Sequence, residues 1–397
     1  MYEGIVITGT SGSGKSTIGR AICERDKRFE LTTAVTTRSR RADDQPGEYR
    51  YCSDEQFSNF ARNKELLTET TYRGERYGII LSDYQDIVAR SKIPVLVLTP
   101  DAAFALEASG QDGGGTRQKT LPLCLSIFLD APDKVLDERL QHRGESEISS
   151  EARQQREEER KLSRKFLYYV LSEQSEDAVS LVHALWFNQN RGGVLPARLI
   201  SLMFRCGMLM RDADPANITS AAYDLRLGDE YYYRGKIHRL SERSPFLLIE
   251  PYDYAIVMAR ECADFPRDIC GRFDLSVGLF CQGIILSNGP QVDPGFRGRL
   301  LCLLFNTSNS PVLIKRGQHY ATIEFHKLLE PAPPYEGEHQ DEMEIVHYIP
   351  SNAARGAVSE LRRELEEVKQ ASQRVQSLVL AVMSVILAII AVLLALH

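Results

Sequence analysis

The pattern of apolar and polar positions changes its period along this 397-residue chain, and each change predicts a different kind of structure. Up to about residue 190, unbroken apolar runs such as Gly4-Ile5-Val6-Ile7 and Pro94-Val95-Leu96-Val97-Leu98 alternate with stretches of helical spacing. Strands buried on both faces read as continuous apolar runs, so residues 1–190 are expected to form an α/β domain, a parallel sheet covered by helices. Asn190-Arg191-Gly192-Gly193 interrupts that pattern. From 194 to 330 the apolar runs shorten and are punctuated by Gly, Pro, Asn and Asp, which predicts a mostly β domain. Residues 331–357, opening with Pro331-Ala332-Pro333-Pro334 and continuing acidic and turn-rich, read as a linker in which Ile345 to Ile349 can add an edge strand. No internal repeat is present.

From Val358 the spacing is helical again, with Val358, Leu361, Leu365, Val368 and Val375 on one seam and Ser372 interrupting it. Residues 358–377 therefore predict a coiled-coil-like stem, the other reading being a lone amphipathic helix. The seam continues in phase into 378–396, where every residue is aliphatic, Ala or Met except Ser384. Nineteen residues of helix span roughly 28 Å, about one bilayer core, which predicts a transmembrane helix. A buried oligomerisation helix is the alternative, although such a helix usually keeps a polar face. Lys369 and Arg374 lie on the N-terminal flank of the run, so a single-pass, tail-anchored protein with cytoplasmic soluble domains is expected.

Composition narrows the class. A formal net charge of -6 with 26% charged residues is ordinary for a soluble enzyme and disfavours a duplex nucleic-acid partner. The eight cysteines are scattered without the paired short spacings of zinc sites and read as reduced core residues. No charged segment followed by an apolar one opens the sequence, so no cleavable signal peptide is expected.

The most specific chemistry lies at Gly9-Thr10-Ser11-Gly12-Ser13-Gly14-Lys15-Ser16, which satisfies G-x-x-x-x-G-K-[ST] between a predicted strand and a predicted helix. Backbone N–H groups of Gly9, Ser11, Gly12, Ser13, Gly14 and Thr17 and their neighbours are expected to close around ATP phosphates. Lys15 is expected to reach the β- and γ-phosphates, and Ser16 to hold Mg²⁺. Thr36-Thr37-Arg38-Ser39-Arg40-Arg41, Gly47-Glu48-Tyr49-Arg50-Tyr51 and Arg76-Tyr77-Gly78 then follow in order.

Over residues 3–190 these segments resemble guanylate kinases. The resemblance implies an acceptor-phosphate grip by Arg38, Arg41, Tyr49 and Tyr77, which suits the bidentate fork of arginine. Leu136 to Gly144 resembles the family's lid, implying that Arg139, Arg143 and Arg153 stabilise charge on the transferred phosphoryl group. The departures are as informative. Ala34 replaces an expected serine, Thr71 stands for the glutamate that reads guanine, and Val97 and Thr99 replace paired aspartates, with Asp101 a shifted substitute. A site that has lost its base-reading groups is expected to take another acceptor, a non-guanine nucleoside monophosphate or a sugar phosphate.

Residues 194–330 resemble the dUTPase and dCTP deaminase superfamily. The resemblance rests on Ser220-Ala221-Ala222-Tyr223-Asp224-Leu225-Arg226-Leu227-Gly228, Val292-Asp293-Pro294-Gly295-Phe296-Arg297-Gly298 and Lys315-Arg316-Gly317-Gln318-His319-Tyr320-Ala321. It implies a β-rich homotrimer. Its catalytic positions are depleted: Val277 stands for a phosphate-binding serine, Cys281 for an arginine, and Leu303 for the glutamate that shuttles protons. Deamination is therefore not expected. Asp224 and Asp293 remain as candidates for ordering a metal's water shell and orienting water, or Asp293 simply caps a turn. Two functions stay open: a membrane-anchored nucleotide kinase, and a nucleotide sensor acting on a membrane, a form that suits an antiviral effector.

Overall fold

The computed structural model describes residues 2–395 apart from 42–43, 73, 112–122, 143–149, 288–290, 352 and 354–357. In chain order the first domain comprises β1 (Gly4–Gly9), α1 (Lys15–Arg25), β2 (Phe29–Leu31), β3 (Ala34–Thr36), β4 (Tyr49–Tyr51), α2 (Asp54–Arg62), β5 (Leu66–Tyr72) and β6 (Glu75–Ile80). It continues with α3 (Leu81–Ala89), β7 (Ile93–Val97), α4 (Pro100–Gln111), β8 (Cys124–Asp130), α5 (Asp133–Gln141), α6 (Ser150–Leu162), β9 (Tyr168–Leu171) and α7 (Ser175–Phe187). Among the described residues, the main sheet runs β2-β7-β1-β8-β9 with every pair parallel. Its central strands are apolar on both faces because helices cover both, as the unbroken runs require. A second sheet, β4-β3-β6-β5, stands apart from it.

The second domain contains β10 (Gly193–Val194), α8 (Ala197–Arg205), β11 (Leu209–Arg211), β12 (Ala222–Tyr233), β13 (Lys236–Arg239), β14 (Phe246–Ile249), β15 (Tyr254–Asp264) and β16 (Ile269–Leu275). Then come α9 (Val277–Cys281), β17 (Ile284–Leu286), β18 (Gln291–Val292), β19 (Arg297–Asn306), β20 (Val312–Lys315) and β21 (His319–Lys327). Its strands pair antiparallel along β17-β19-β15-β12-β21-β16-β18, with β14 and β20 forming a separate ladder. In β19 buried and half-buried residues alternate, so Leu300, Cys302 and Leu304 face the core while Leu301 and Leu303 face outward.

The two domains share buried apolar packing. One apolar cluster runs from Ile5 and Ile127 through Leu195 and Met203 to Phe325. The Leu171 amide donates to the Cys206 carbonyl at 2.9 Å, joining β9 to the end of α8. Deeper in, the Tyr168 hydroxyl and the Lys327 ammonium both donate to Asp268, all three buried.

Two expectations change here. Residues 331–350 lie along the β domain, where the Asp341 amide donates to the Arg297 carbonyl and Ile345 is buried against Tyr232 and Met258. Ile345 to Ile349 adds no edge strand. Ile345–His347 forms a 3₁₀ turn instead, because burying Ile345 under the outer face of the sheet takes the backbone away from a strand edge. Beyond it, α10 (Val358–Ala395) is one continuous helix. Its stretch Glu364–Ile389 is long and apolar enough to cross a membrane, and its large apolar side chains, Leu378 and Ile386 among them, are exposed.

Candidate functional site

The loop after β1 is built by backbone geometry. Gly9 has a φ of 142° and its α-carbon lies so close to the Leu129 carbonyl that a β-carbon there would overlap it. Gly14, at φ 88°, begins α1 without a side-chain cap, leaving the helix N-terminus open to a ligand. The loop is anchored from β8: the Thr10 hydroxyl donates to Asp130 at 2.8 Å, and Asp130 also accepts from Tyr169 at 2.7 Å and Arg160 at 2.8 Å. Burial, then the Asp130 charge, pushes the Tyr169 phenol up, so it remains a donor.

Lys15 folds back over this loop, donating to the carbonyls of Gly9 at 2.9 Å and Thr10 at 2.8 Å. Gly9, Ser11, Gly12, Gly14, Lys15 and Ser16 line a cavity of about 170 Å³ that reaches across to Arg38, Arg41, Tyr49 and Tyr77. The sequence-predicted phosphate loop and acceptor grip therefore meet in one cleft. Ser13 and Thr17, with Gly12, Gly14 and Arg139, line a second cavity of about 300 Å³. Arg139 is fixed there by the Ser172 carbonyl at 2.7 Å.

Arg38 is already paired. Its guanidinium makes two bonds to Asp44, at 2.8 and 2.7 Å, and lies 4.6 Å from the centre of the Tyr49 ring. Burial opposes ionisation of Asp44, but bonds from Arg38 and Tyr51 outweigh it and hold the carboxyl well below its ordinary range. Burial and the Asp44 bond push the Tyr51 phenol up to about 12.

Three residues singled out in the sequence lie off both cavities, Thr71 through strand register and Asp101 and Arg153 through the faces of their helices. Thr71 is exposed and does not line the cavity; Thr68, Thr70 and Tyr72 do, because side chains of β5 alternate. The cross-strand row is Ala34, Ile79, Thr68, with Thr68 only 9% exposed and its hydroxyl without a hydrogen-bond partner among the described residues. Ala34, Val97 and Thr99 line the cavity as expected, whereas Asp101 is exposed on α4 and does not, since Pro100 starts the helix and turns it outward. Arg153 lies on the exposed side of α6, 3.8 Å from Asp137, and lines neither cavity. Arg143 falls outside the described residues.

Sequence reasoning missed Glu159. This residue of α6 is 7% exposed and lines the cleft, accepting from the Ser11 amide at 3.1 Å and the Tyr72 hydroxyl at 3.2 Å. Its signal was weak because it sits in a run of charged residues, Arg156-Glu157-Glu158-Glu159-Arg160, that reads as a solvated face.

In the second domain Asp224 accepts from Thr322 at 2.7 Å and faces Asp274 across β21 in register. Asp293 is exposed in the turn after β18, bonded by Gln291 at 3.1 Å, and its carbonyl accepts from the Phe296 amide. The structure does not bring Asp224 and Asp293 side by side, since β21 and β16 separate their strands. Val277 is 75% exposed on α9. Among the described residues, no group of three or more His, Cys, Asp or Glu side chains is arranged to hold a metal.

Comparison with known proteins follows the same division. The guanylate kinase family matches residues 1–188 and the dCTP deaminase-like family residues 198–328. A dCTP deaminase of Thermococcus gammatolerans is 34% identical over 139 residues, 35% of this chain and 87% of its own length. Guanylate kinases of Synechocystis sp. and Prochlorococcus marinus are 28% identical over 179 residues and 30% over 142. These alignments cover 44% and 35% of this chain, and 88% and 71% of the relatives.

Proposed function

Because this chain belongs to the guanylate kinase family over its first domain and to the dCTP deaminase-like family over its second, we propose that it is a membrane-anchored nucleotide kinase. Its first domain would use ATP and Mg²⁺ to phosphorylate a monophosphate acceptor other than GMP. The observation that carries this reading is the row Ala34, Ile79, Thr68 on the acceptor side of the cleft. Guanine presents two adjacent donors, and neither alkyl groups nor one hydroxyl can match them as a carboxylate does.

The residues fit Mg·ATP. The Ser11 amide already holds a carboxylate, so the loop as folded accepts an anion, and Ser16 opens onto the same cavity. Ser16 would hold the Mg²⁺, which would neutralise negative charge on the phosphates. Lys15 exchanges its two carbonyl partners for phosphate oxygens, Arg139 supplies positive charge beside the loop, and Arg41 with Tyr49 and Tyr77 orients the acceptor phosphate.

The second domain serves as a nucleotide-binding and trimerising module without deaminase turnover, since Leu303 faces outward where a proton shuttle is required. A second reading, a nucleotide sensor acting on the membrane with little turnover, is favoured by the core shared between the domains. One experiment separates them. Full-length protein in detergent is incubated with ATP·Mg²⁺ and a panel of nucleoside monophosphates plus ribose 1,5-bisphosphate, and ADP is measured. Rapid turnover with one non-guanine acceptor supports the kinase; tight binding without ADP supports the sensor; GMP as the best acceptor overturns the proposal.

A further inference from the structure

Resting on the nucleotide site proposed above, we propose that Glu159 is the internal anion of the phosphate loop and that ATP binding transfers its carboxylate to Arg156. The first seat is visible. The Glu159 carboxylate takes the Ser11 amide with one oxygen and the Tyr72 hydroxyl with the other, so a single group ties the ATP side of the cleft to β5 on the acceptor side. An ATP phosphate needs the N–H groups of this loop and brings negative charge to the same place. Two anions close together in a buried cleft repel strongly, so the carboxylate must leave.

The second seat is supplied by the same helix. Arg156 precedes Glu159 by three residues on α6, a spacing that makes side chains neighbours. It is 1% exposed, and its Nη1 meets Asp137 at 2.5 Å and Asp133 at 3.7 Å, while Nε and Nη2 have no hydrogen-bond partner among the described residues. Buried guanidinium nitrogens without acceptors are unfavourable, and a carboxylate arriving from one turn along the helix satisfies them. Moving there also releases Tyr72 into the acceptor cavity, so ATP occupancy prepares the second substrate's site. Glu159 is thus a positioning residue that couples the two substrates.

Calorimetric titration of the full-length protein in detergent with ATP·Mg²⁺ tests both seats. Glu159→Gln is expected to bind ATP about tenfold more tightly than wild type, because the competing charge is gone. Arg156→Met is expected to weaken ATP binding in the wild-type background and to have no effect in the Glu159→Gln background, where no carboxylate needs a second seat. Unchanged or weaker binding by Glu159→Gln overturns the proposal. Equal weakening by Arg156→Met in both backgrounds also overturns it, since Arg156 would then contact the nucleotide itself. If Arg156→Met does not fold, the Glu159→Gln comparison alone decides. Absence of ATP binding by wild type and Glu159→Gln alike refutes the nucleotide site itself, a separate failure from wild-type binding that Glu159→Gln leaves unimproved.

Discussion

Lys15 shows how far chemistry can be read from adjacent residues: the phosphate loop is contiguous, so its sequence states its geometry. Lys15→Ala is expected to lower ATP turnover roughly 10²–10³-fold, measured as ADP release at saturating acceptor. Thr68 shows the limit. Which residue of β5 stands beside Ala34 in the cleft depends on the register of β5 against β6, which shifts between Leu66 and Thr68, and a three-residue slip places Thr71 there instead. Thr68→Val is expected to leave the thermal midpoint of the free protein unchanged or raised, because the lost hydroxyl has no partner among the described residues, while Thr68→Glu is expected to increase GMP binding. A fall in the Thr68→Val midpoint by several degrees would contradict this. Asp44 adds a pH signature. Its folded carboxyl titrates below the ordinary range, so its stabilising contribution is complete above about pH 4 and is lost as pH falls further through the depressed value. Thermal midpoints from pH 2 to 6 should therefore fall less steeply in Asp44→Asn than in wild type.

At the scale of elements, the apolar pattern was a sound guide to where strands and helices form. The unbroken runs of β1 and β8 are buried residue for residue, and the helical spacing from Val358 onward is one helix, α10. Residues 331–350 were harder to read, because their backbone is fixed by single bonds to Arg267, Pro294 and Arg297 rather than by a repeating pattern. The helix α10 carries a direct prediction: full-length protein is expected in the membrane fraction and a chain ending at Pro350 in the soluble fraction. Equal solubility of the two without detergent would show that the exposed apolar side chains of α10 are covered by protein instead of lipid.

For the whole molecule, the buried contact of Tyr168, Asp268 and Lys327 is expected to make the two domains unfold as one unit. Lys327→Met leaves Asp268 without its cation and is expected to cost about 3–5 kcal/mol, lowering the midpoint of a single transition that both domains share. Two separated calorimetric transitions in wild type would refute the shared unit. The chain ending at Pro350 is expected to sediment as a trimer; a monomer would assign assembly to α10. The order of the two families along the chain, the glycine-rich loop between β1 and α1 and the long apolar helix were determined by sequence, because each is written in a contiguous stretch of residues. Tertiary structure alone decided which residues of β5 line the cleft, that Glu159 reaches Ser11 across 148 positions of chain, and that the domains share a core. The physical reason is that strand register and long-range contact are set by how elements pack, which no local spacing encodes.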